Sequence, residues 1–362
     1  MRRLGASPSG GGASGARAAT ATPAPTPSSP ADPLSQAAEA YVVTRAASRD
    51  ASANAPTAVV VESVRDETES VKFLRLRASG EAAVAALAFR PGQWVDFYAP
   101  GVPKPGGFSI ASSPAQLATR GDIELAVKKS RSSACGHWIH DECAPGDEVR
   151  VRVGGRCFLT ERDIATRPLL LVAGGIGIGP LRSAAKALTE TLFTGPKTSS
   201  RPRPLRAVLL YSGKTRAELA LASDVEALAR ESRGAFRCVF HLTGGEATKD
   251  PKGGGAEVDP AASDGGGDAK RRRKNEEGSS TSDASLARTA WASFRVGRID
   301  AAALREALDD LERSGSREPE ERGSKPEEGA VAFLCGPPAM SDFAEAALKT
   351  LGVKDVRLER WW

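Results

Sequence analysis

The 362-residue sequence has no Cys-x-x-Cys pair, and its five cysteines (Cys135, Cys143, Cys157, Cys238 and Cys335) are odd in number and widely spaced. That set fits a reducing compartment better than a disulfide framework. No apolar run approaches the ~20 residues a membrane helix needs, so the expectation is a chain that is not an integral membrane protein. Excess charge is also scarce. The net charge of +5 comes partly from the N-terminal tail and one basic cluster, which is too little for this length to point to nucleic acid. The first 31 residues contain Arg2, Arg3 and Arg17 but no carboxylate before Asp32. An Arg-bearing, Ser- and Ala-rich, acid-free start has the composition of an organelle transit peptide, mitochondrial by preference with the plastid as the alternative. A disordered tail carrying no address is the other reading.

A hydrophobic content of 40% and a charged content of 26% suit a soluble globular protein of two domains. The chain is organised around residues 169–183, LLLVAGGIGIGPLRS. Five apolar residues, then four glycines in close succession and Pro180, describe a buried strand turning sharply into a helix that runs from Arg182 to about Thr189. A strand apolar on both faces belongs to a covered parallel sheet. Gly174, Gly175, Gly177 and Gly179 lack a Cβ, so main-chain amides can approach a ligand, and the following helix presents its positive dipole end to the turn. Such an end binds phosphate. A Gly-rich strand-to-helix turn without a ligand is the plain alternative.

The folded part begins near Thr57. Residues 57–80 read as two strands around a DETES turn, and short strands follow at 89–101, 106–114, 122–130 and 146–155, punctuated by Pro-Gly pairs. That rhythm predicts an antiparallel barrel. From Pro168 onward, strands at 206–213, 236–244 and 330–338 and the C-terminal DVRLERWW alternate with helices of about a dozen residues, which predicts a doubly wound parallel sheet. The resulting division is a tail over 1–56, a barrel over 57–165 and an α/β domain over 166–362. Within the last, 245–287 and 314–328 are polar, Gly-rich insertions read as disordered loops. The KRRRK run at 270–274 reads as a solvated charge cluster.

Cys135, His137, His140 and Cys143 place four zinc-ligand types within nine residues. Three would share a helix face, but zinc modules divide their ligands between two separated pairs, so CGHWIHDEC is read as a bridging helix and no metal is assigned. His241 is read as a strand residue.

Four segments, GQWVDFYAPG with GGFSIASSP, then AGGIGIGPL, then CGPPAM, then a terminal ERWW, together resemble the ferredoxin-NADP reductase-like superfamily in order and spacing. The resemblance implies an antiparallel flavin-binding barrel followed by a doubly wound parallel-sheet nucleotide-binding domain, with FAD and either NAD or NADP as cofactors. It places Phe108, Ser109 and Ile110 at the flavin, with Ser109 near the hydride-accepting atom. It places Gly174, Gly175, Ile176, Gly177, Ile178, Gly179 and Pro180, together with Gly336 and Pro337, at the dinucleotide. Cys335 falls beside the nicotinamide ring, and Trp362 is suited to cover the flavin face. Ser109, Cys335 and Trp362 are thus the candidate catalytic residues. Two departures stand out. The place of the family's flavin-phosphate arginine is Gly106, and residues 133–136 keep neither the Gly nor the Ser of its second flavin element. Lys104, Lys128 or Arg152 are left to supply that charge. Ser212, Lys214 and Arg216 follow the strand where the ribose 2′ position is read, which leaves NAD and NADP open.

The implied function is passage of hydride from NAD(P)H to FAD and of electrons to a separate, unidentified acceptor, since the C-x4-C-x2-C spacing of a plant-type iron–sulfur domain is absent. The alternative is a non-catalytic NAD(P)H-binding or sensor protein with a degraded flavin site.

Overall fold

In the computed structural model the described residues are 55–193, 204–244, 291–315 and 329–359. Six strands carry the first half: β1 (Thr57–Thr68), β2 (Val71–Ala78), β3 (Trp94–Tyr98), β4 (Gly106–Ser109), β5 (Asp122–Lys128) and β6 (Glu148–Gly154). They pair antiparallel in the order β4-β3-β6-β1-β2-β5. A lone bridge from Ile110, just past β4, to Leu125 on β5 joins the two outer strands, which closes the sheet into a barrel and leaves no long free edge. Strand alternation sends Val59, Val61, Leu74, Leu76, Val95, Phe97 and Val151 into its core. β1 continues through Asp66 to Thr68, so the turn expected across DETES is confined to Glu69 and Ser70.

Short helices α1 (Glu81–Ala86), α2 (Pro114–Arg120) and α3 (Ala134–Asp141) decorate the barrel. α2 is bounded by its sequence: Ser113 Oγ accepts from the Gln116 amide, Pro114 opens the first turn, and Gly121 ends it at φ 71°. α3 occupies the segment read as a bridging helix.

Helix α4 (Glu161–Thr166) leads into the second half. There β7 (Leu169–Gly174), β8 (Ala207–Gly213), β9 (Phe236–Leu242), β10 (Ala292–Val296), β11 (Val331–Cys335) and β12 (Asp355–Glu359) form one parallel sheet, ordered β10-β9-β8-β7-β11-β12. α5 (Ile178–Phe193) and α6 (Ala222–Glu231) cover one face, and α7 (Ala301–Gly315) and α8 (Pro338–Thr350) the other. β7 and β11 are buried along their whole length, as their unbroken apolar runs require. β10 was not legible in the sequence. It is a five-residue edge strand following a polar stretch, and its Phe294 and Val296 stay exposed. The tail at 1–54, the insertion at 245–287 with its KRRRK run, and residues 316–328 of the second insertion lie outside the described residues. Among the described residues no helix is long and apolar enough to cross a membrane.

The two halves share a core. Val71, Phe73, Ala111 and Ala126 of the barrel pack with Ile178, Leu181, Ala184 and Leu188 of α5. Arg182 crosses this apolar contact. Its Nη1 donates to Glu124 Oε2 on β5 at 2.9 Å and to the Ala111 carbonyl at 2.7 Å, while Nη2 pairs with Asp224 of α6 at 2.6 Å. Both partners of the central pair are buried, Arg182 at 8% and Glu124 at 4% side-chain exposure. Arg75 takes the other Glu124 oxygen at 3.0 Å. Burial alone would push the Glu124 carboxyl up. The charges of Arg182 and Lys186, with hydrogen bonds from Arg182 and Gln116, outweigh burial and hold it at about 2.

Removing Arg182 takes from the buried Glu124 carboxylate its one buried cationic partner and leaves it the half-exposed Arg75. Arg182→Met is expected to lower stability by about 3–5 kcal/mol in urea titration. The double variant Arg182→Met/Glu124→Leu should recover much of that loss. Because the folded carboxyl titrates below its ordinary 4.5, the stabilisation is complete above that pH and is lost as pH falls towards 2. A parent protein whose urea midpoint is flat between pH 5 and 3 would contradict this account.

Candidate functional site

In a parallel sheet each strand delivers the chain to a helix at its carboxyl edge, and a crevice opens where successive helices leave to opposite faces. Here that point lies between β7 and β11: α5 leaves β7 to one face and α8 leaves β11 to the other. The two motifs singled out in the sequence, the glycine turn and Cys-Gly-Pro-Pro, are therefore the two lips of one crevice.

They interlock through missing side chains. A Cβ on Gly177 would fall into the main chain of Cys335, 2.5 Å from its carbonyl carbon; one on Gly174 would lie 2.6 Å from Pro337 Cδ; one on Gly336 would lie 2.9 Å from the Gly174 amide. These three glycines serve backbone-to-backbone contact across the crevice. Gly175 differs. It sits at φ 54° with nothing within 4 Å of its Cβ position, so it alone of the set faces open space. The helix begins earlier than the sequence suggested: a 3-10 turn covers Gly175–Gly177 and α5 starts at Ile178. Gly179 and Pro180 are consequently in the first helical turn, where the N–H that proline lacks would have had no intrahelical partner. Ile178 is fully buried in the core and Ile176 only partly so.

From the barrel, Ser109 reaches this crevice. A Cβ added to Gly179 would lie 3.6 Å from the Ser109 Cβ, so the end of β4 and the first turn of α5 face each other with about one methyl group of space between them. β3–β4 pairing places Ser109 beside Trp94 and Phe108 beside Val95, which puts the two candidate flavin residues on opposite faces. Phe108 packs on the barrel core, edge-on to Phe97 with ring centroids 5.8 Å apart. Ile110 is fully buried there. Phe108 also lies over Gly106, where a Cβ would meet its ring at 2.9 Å and Cys135 Cβ at 2.8 Å. No longer side chain fits that place. Of the cations considered as replacements, Arg152 is committed to Asp96 (Nε to Oδ2, 3.0 Å), while Lys104 and Lys128 are exposed. α3 keeps a polar start in another form: Ser133 is its N-cap and accepts from the Gly136 amide at 3.0 Å.

One residue went unnoticed in the sequence. Glu359 ends β12 directly beside Cys335 of β11 and is 9% exposed. Burial pushes its carboxyl up to about 7, against a hydrogen bond from the Trp94 indole that draws it down. Trp94 belongs to the barrel, so this is a second cross-contact at the crevice. Burial, with help from the Glu359 charge, also raises the Cys157 thiol to about 12, which makes it inert near neutrality. No local signal could have singled it out, because the final strand, Asp-Val-Arg-Leu-Glu, already carries a second carboxylate and an arginine. Cys335 itself is buried. Trp362 lies outside the described residues.

At the far end of β8, Tyr211 is buried and donates to the Ala220 carbonyl at 3.1 Å, Lys214 is exposed, and the Arg216 guanidinium lies 4.5 Å from the Phe294 ring centroid. Of the four clustered Cys and His residues, Cys135 and His140 bond to nearby main-chain carbonyls and Cys143 is partly buried. Cys135 Sγ donates to the Phe97 and Lys104 carbonyls, His140 Nε2 bonds the Val127 carbonyl at 3.0 Å, and burial raises the Cys143 thiol to about 11. Among the described residues no three His, Cys, Asp or Glu side chains are grouped to hold a metal ion.

The different duties of the glycines give a paired expectation. Gly177→Ala must part the two lips and should lower the urea midpoint clearly below that of Gly175→Ala. Gly175→Ala meets no atom but must hold an alanine at positive φ, a cost of about 1–2 kcal/mol that leaves the fold intact. Equal urea midpoints in Gly177→Ala and the parent would show that the lips are not interlocked.

No protein-family model matches the chain. It is 33% identical to oxidoreductase NAD-binding domain-containing protein 1 of Danio rerio over 82% of its own length and 88% of the relative's. The Homo sapiens protein of that name is 30% identical, over 82% and 77%. A more distant match, 28% identical over 40% of this chain and 37% of the other, is the reductase component of propane 2-monooxygenase from a Gordonia species. Among solved structures, the Amycolatopsis cytochrome P450 reductase superposes with a TM-score of 0.54 at 22% identity, covering 84% of this chain and 69% of that one. A Neisseria gonorrhoeae ferredoxin NADP+ reductase with bound FAD and NADP gives 0.52 at 15%, covering 84% and 98%. The structural likenesses show a ferredoxin-reductase-like fold of flavin barrel and nucleotide sheet, the architecture expected from the four sequence motifs. Similarity of this degree across most of both chains places the protein in the oxidoreductase NAD-binding domain-containing protein 1 family.

Proposed function

We propose that the chain is an NAD(P)H-dependent flavoprotein oxidoreductase that passes hydride from a nicotinamide coenzyme to FAD and electrons on to a separate acceptor. The observation that carries this reading is the placement of Ser109 next to Gly179, where a Cβ added to the glycine would just reach it; this sets the barrel's candidate flavin residue against the helix that opens at the glycine turn. In the same proposal, the open main chain at Gly175 and the first amides of α5 hold the coenzyme pyrophosphate. Cys335, Gly336 and Pro337 form the opposite lip beside the nicotinamide, and Ser109 offers a hydroxyl to the flavin. Glu359 keeps a proton close to neutrality within the same crevice. FAD, when bound, supplies the hydride-accepting ring, and the protein supplies position and exclusion of water. The match to a monooxygenase reductase component supports an acceptor on another protein. The acid-free, Arg-bearing start supports a mitochondrial address as part of this proposal.

The residues fit the flavin ring better than its pyrophosphate. Gly106 is closed by Cys135 and Phe108, Arg152 is held by Asp96, and Lys104 and Lys128 are exposed, so none of these would offer the phosphates a buried, uncommitted cation, and each missing charge-assisted bond would forfeit about 1.5–3 kcal/mol. FAD is therefore held loosely and exchanges with solution. That same packing favours the second reading, an NAD(P)H-binding sensor that retains the dinucleotide crevice and has lost the flavin.

The purified protein is expected to carry little flavin and to develop bands near ~450 nm on adding FAD that bleach with NADH or NADPH. Ser109→Ala should slow that bleaching about tenfold, the worth of one hydrogen bond, with coenzyme affinity unchanged. A protein that stays colourless with FAD yet binds NADH fits the sensor instead, and one that binds neither coenzyme sinks both readings.

A further inference from the structure

Trp94 is an unusual side chain for the end of a barrel strand that borders a cofactor crevice. The chain makes room for it at two positions. A Cβ on Gly154 would lie 2.9 Å from the indole Cη2, and one on Gly155 would lie 2.9 Å from Nε1, so both glycines yield their side-chain space to this ring. Gly155 also stands at φ 99°, and its carbonyl accepts from Gln93 Nε2 at 3.0 Å, which fixes the loop under the indole. On the strand itself Trp94 pairs with Ser109, so the indole and the candidate flavin hydroxyl start from adjacent backbone positions.

The indole N–H reaches across the boundary between the two halves to the Glu359 carboxyl. An indole only donates, so the bond survives in both protonation states of the acid but differs in strength. To a carboxylate it is charge-assisted; to a carboxylic acid it is an ordinary neutral bond. Among the described residues no charged partner shares the carboxyl. Its surroundings are Trp94 of β3, Cys335 beside it on β11, the protonated Cys157 thiol after β6, and Arg357 and Asp355 earlier on its own strand. The last two are engaged elsewhere: Arg357 bonds Asp163 and the Phe158 carbonyl, and Asp355 bonds Arg167 and Arg357. Among the described residues Glu359 thus has one hydrogen-bond partner, and it comes from the other half of the molecule.

We propose that Trp94 is a positioning residue whose indole N–H couples the protonation of Glu359 to the seating of β12 against the barrel strand that lies beside Ser109. When the carboxyl is ionised the bond tightens and draws the end of β12 onto β3; when it is protonated the seam relaxes. Protonation of Glu359 from solvent thus loosens the contact between the end of β12, beside Cys335, and the barrel. The consequence for hydride transfer rests on the reductase reading given above, whereas the bond and its response to pH do not.

The test uses the full chain with 15N-labelled tryptophan, its Trp94 indole resonance assigned by its loss in Trp94→Phe. Across pH 5.5–8.5 that resonance is expected to move in a single titration with a midpoint near 7. In Glu359→Gln, which keeps an acceptor oxygen but cannot ionise, it should stay still. A flat resonance in the parent, or an unchanged titration in Glu359→Gln, overturns the proposal. In stopped-flow reduction with added FAD, Trp94→Phe is expected to move the pH midpoint of the rate to higher pH, because the bond that favours the ionised acid is gone. A profile that does not move leaves the bond but overturns the positioning role. If Trp94→Phe does not fold, Glu359→Gln carries both measurements, and its rate should lose the pH step. A protein that never reduces flavin defeats the reductase reading, and the indole titration then decides the coupling by itself.

Discussion

The buried Arg182–Glu124 pair governs the relation of barrel to sheet. Arg182 is on α5, just beyond the dinucleotide turn, and Glu124 is on the barrel strand whose backbone also holds Ala111, two residues past Ser109. A guanidinium that simultaneously engages a carboxylate, a carbonyl and Asp224 has little freedom to shift, and its partners on either side are fixed by their own sheets. Apolar packing between α5 and Phe73 supplies adhesion, but such packing is non-directional. The ion pair supplies direction, so Gly179 and Ser109 meet in one geometry. This is the use of a buried charge pair as a register device, which its modest net stability would not otherwise justify.

The glycine-rich turn carries a second constraint that its sequence alone conceals. A run such as GGIGIG invites one explanation for every glycine, namely approach to a phosphate. Gly174 and Gly177 are instead small because Pro337 and the Cys335 main chain occupy the space beside them, and only Gly175 has positive φ and open surroundings. The crevice is therefore built by interlocking two turns, and the ligand-facing surface is a small part of the motif. Substitutions within one short motif will accordingly fail for different reasons.

Much of the architecture was legible before any coordinates. The all-apolar run at Leu169 to Ala173 could only be a doubly covered strand, and the strand–helix alternation after it fixed a parallel sheet. The barrel followed from short strands separated by Pro-Gly pairs. The parts that escaped share a physical cause, which is that long-range contacts override local pattern. β10 has too few residues and too little burial to give a periodic signal, and it exists because β9 offers it an edge. The start of α5 was placed four residues late because Gly179 and Pro180 read as breakers, yet both are tolerated in a first helical turn. Gly106 was recognised as a departure, but only the packing of Cys135 and Phe108 shows that the place is closed rather than merely vacant of charge.

The same physics explains why Glu359 was missed while Glu124 needed no chemistry to account for it. Both are glutamates, both are buried, and both lie on the boundary between barrel and sheet. Glu124 meets two arginines and a nearby lysine, so its charge is favoured and its carboxyl titrates near 2, far from any working pH. Glu359 meets one neutral indole, which cannot offset burial, and its carboxyl titrates near 7. A side chain held permanently ionised can only fasten; one poised near neutrality can exchange a proton at no great cost in either direction. The boundary thus holds two identical residues in different states, one fastened as a carboxylate at the α5 side and one poised near neutrality at the crevice. What distinguishes them is the number of cations each one meets, a property that no local stretch of sequence contains.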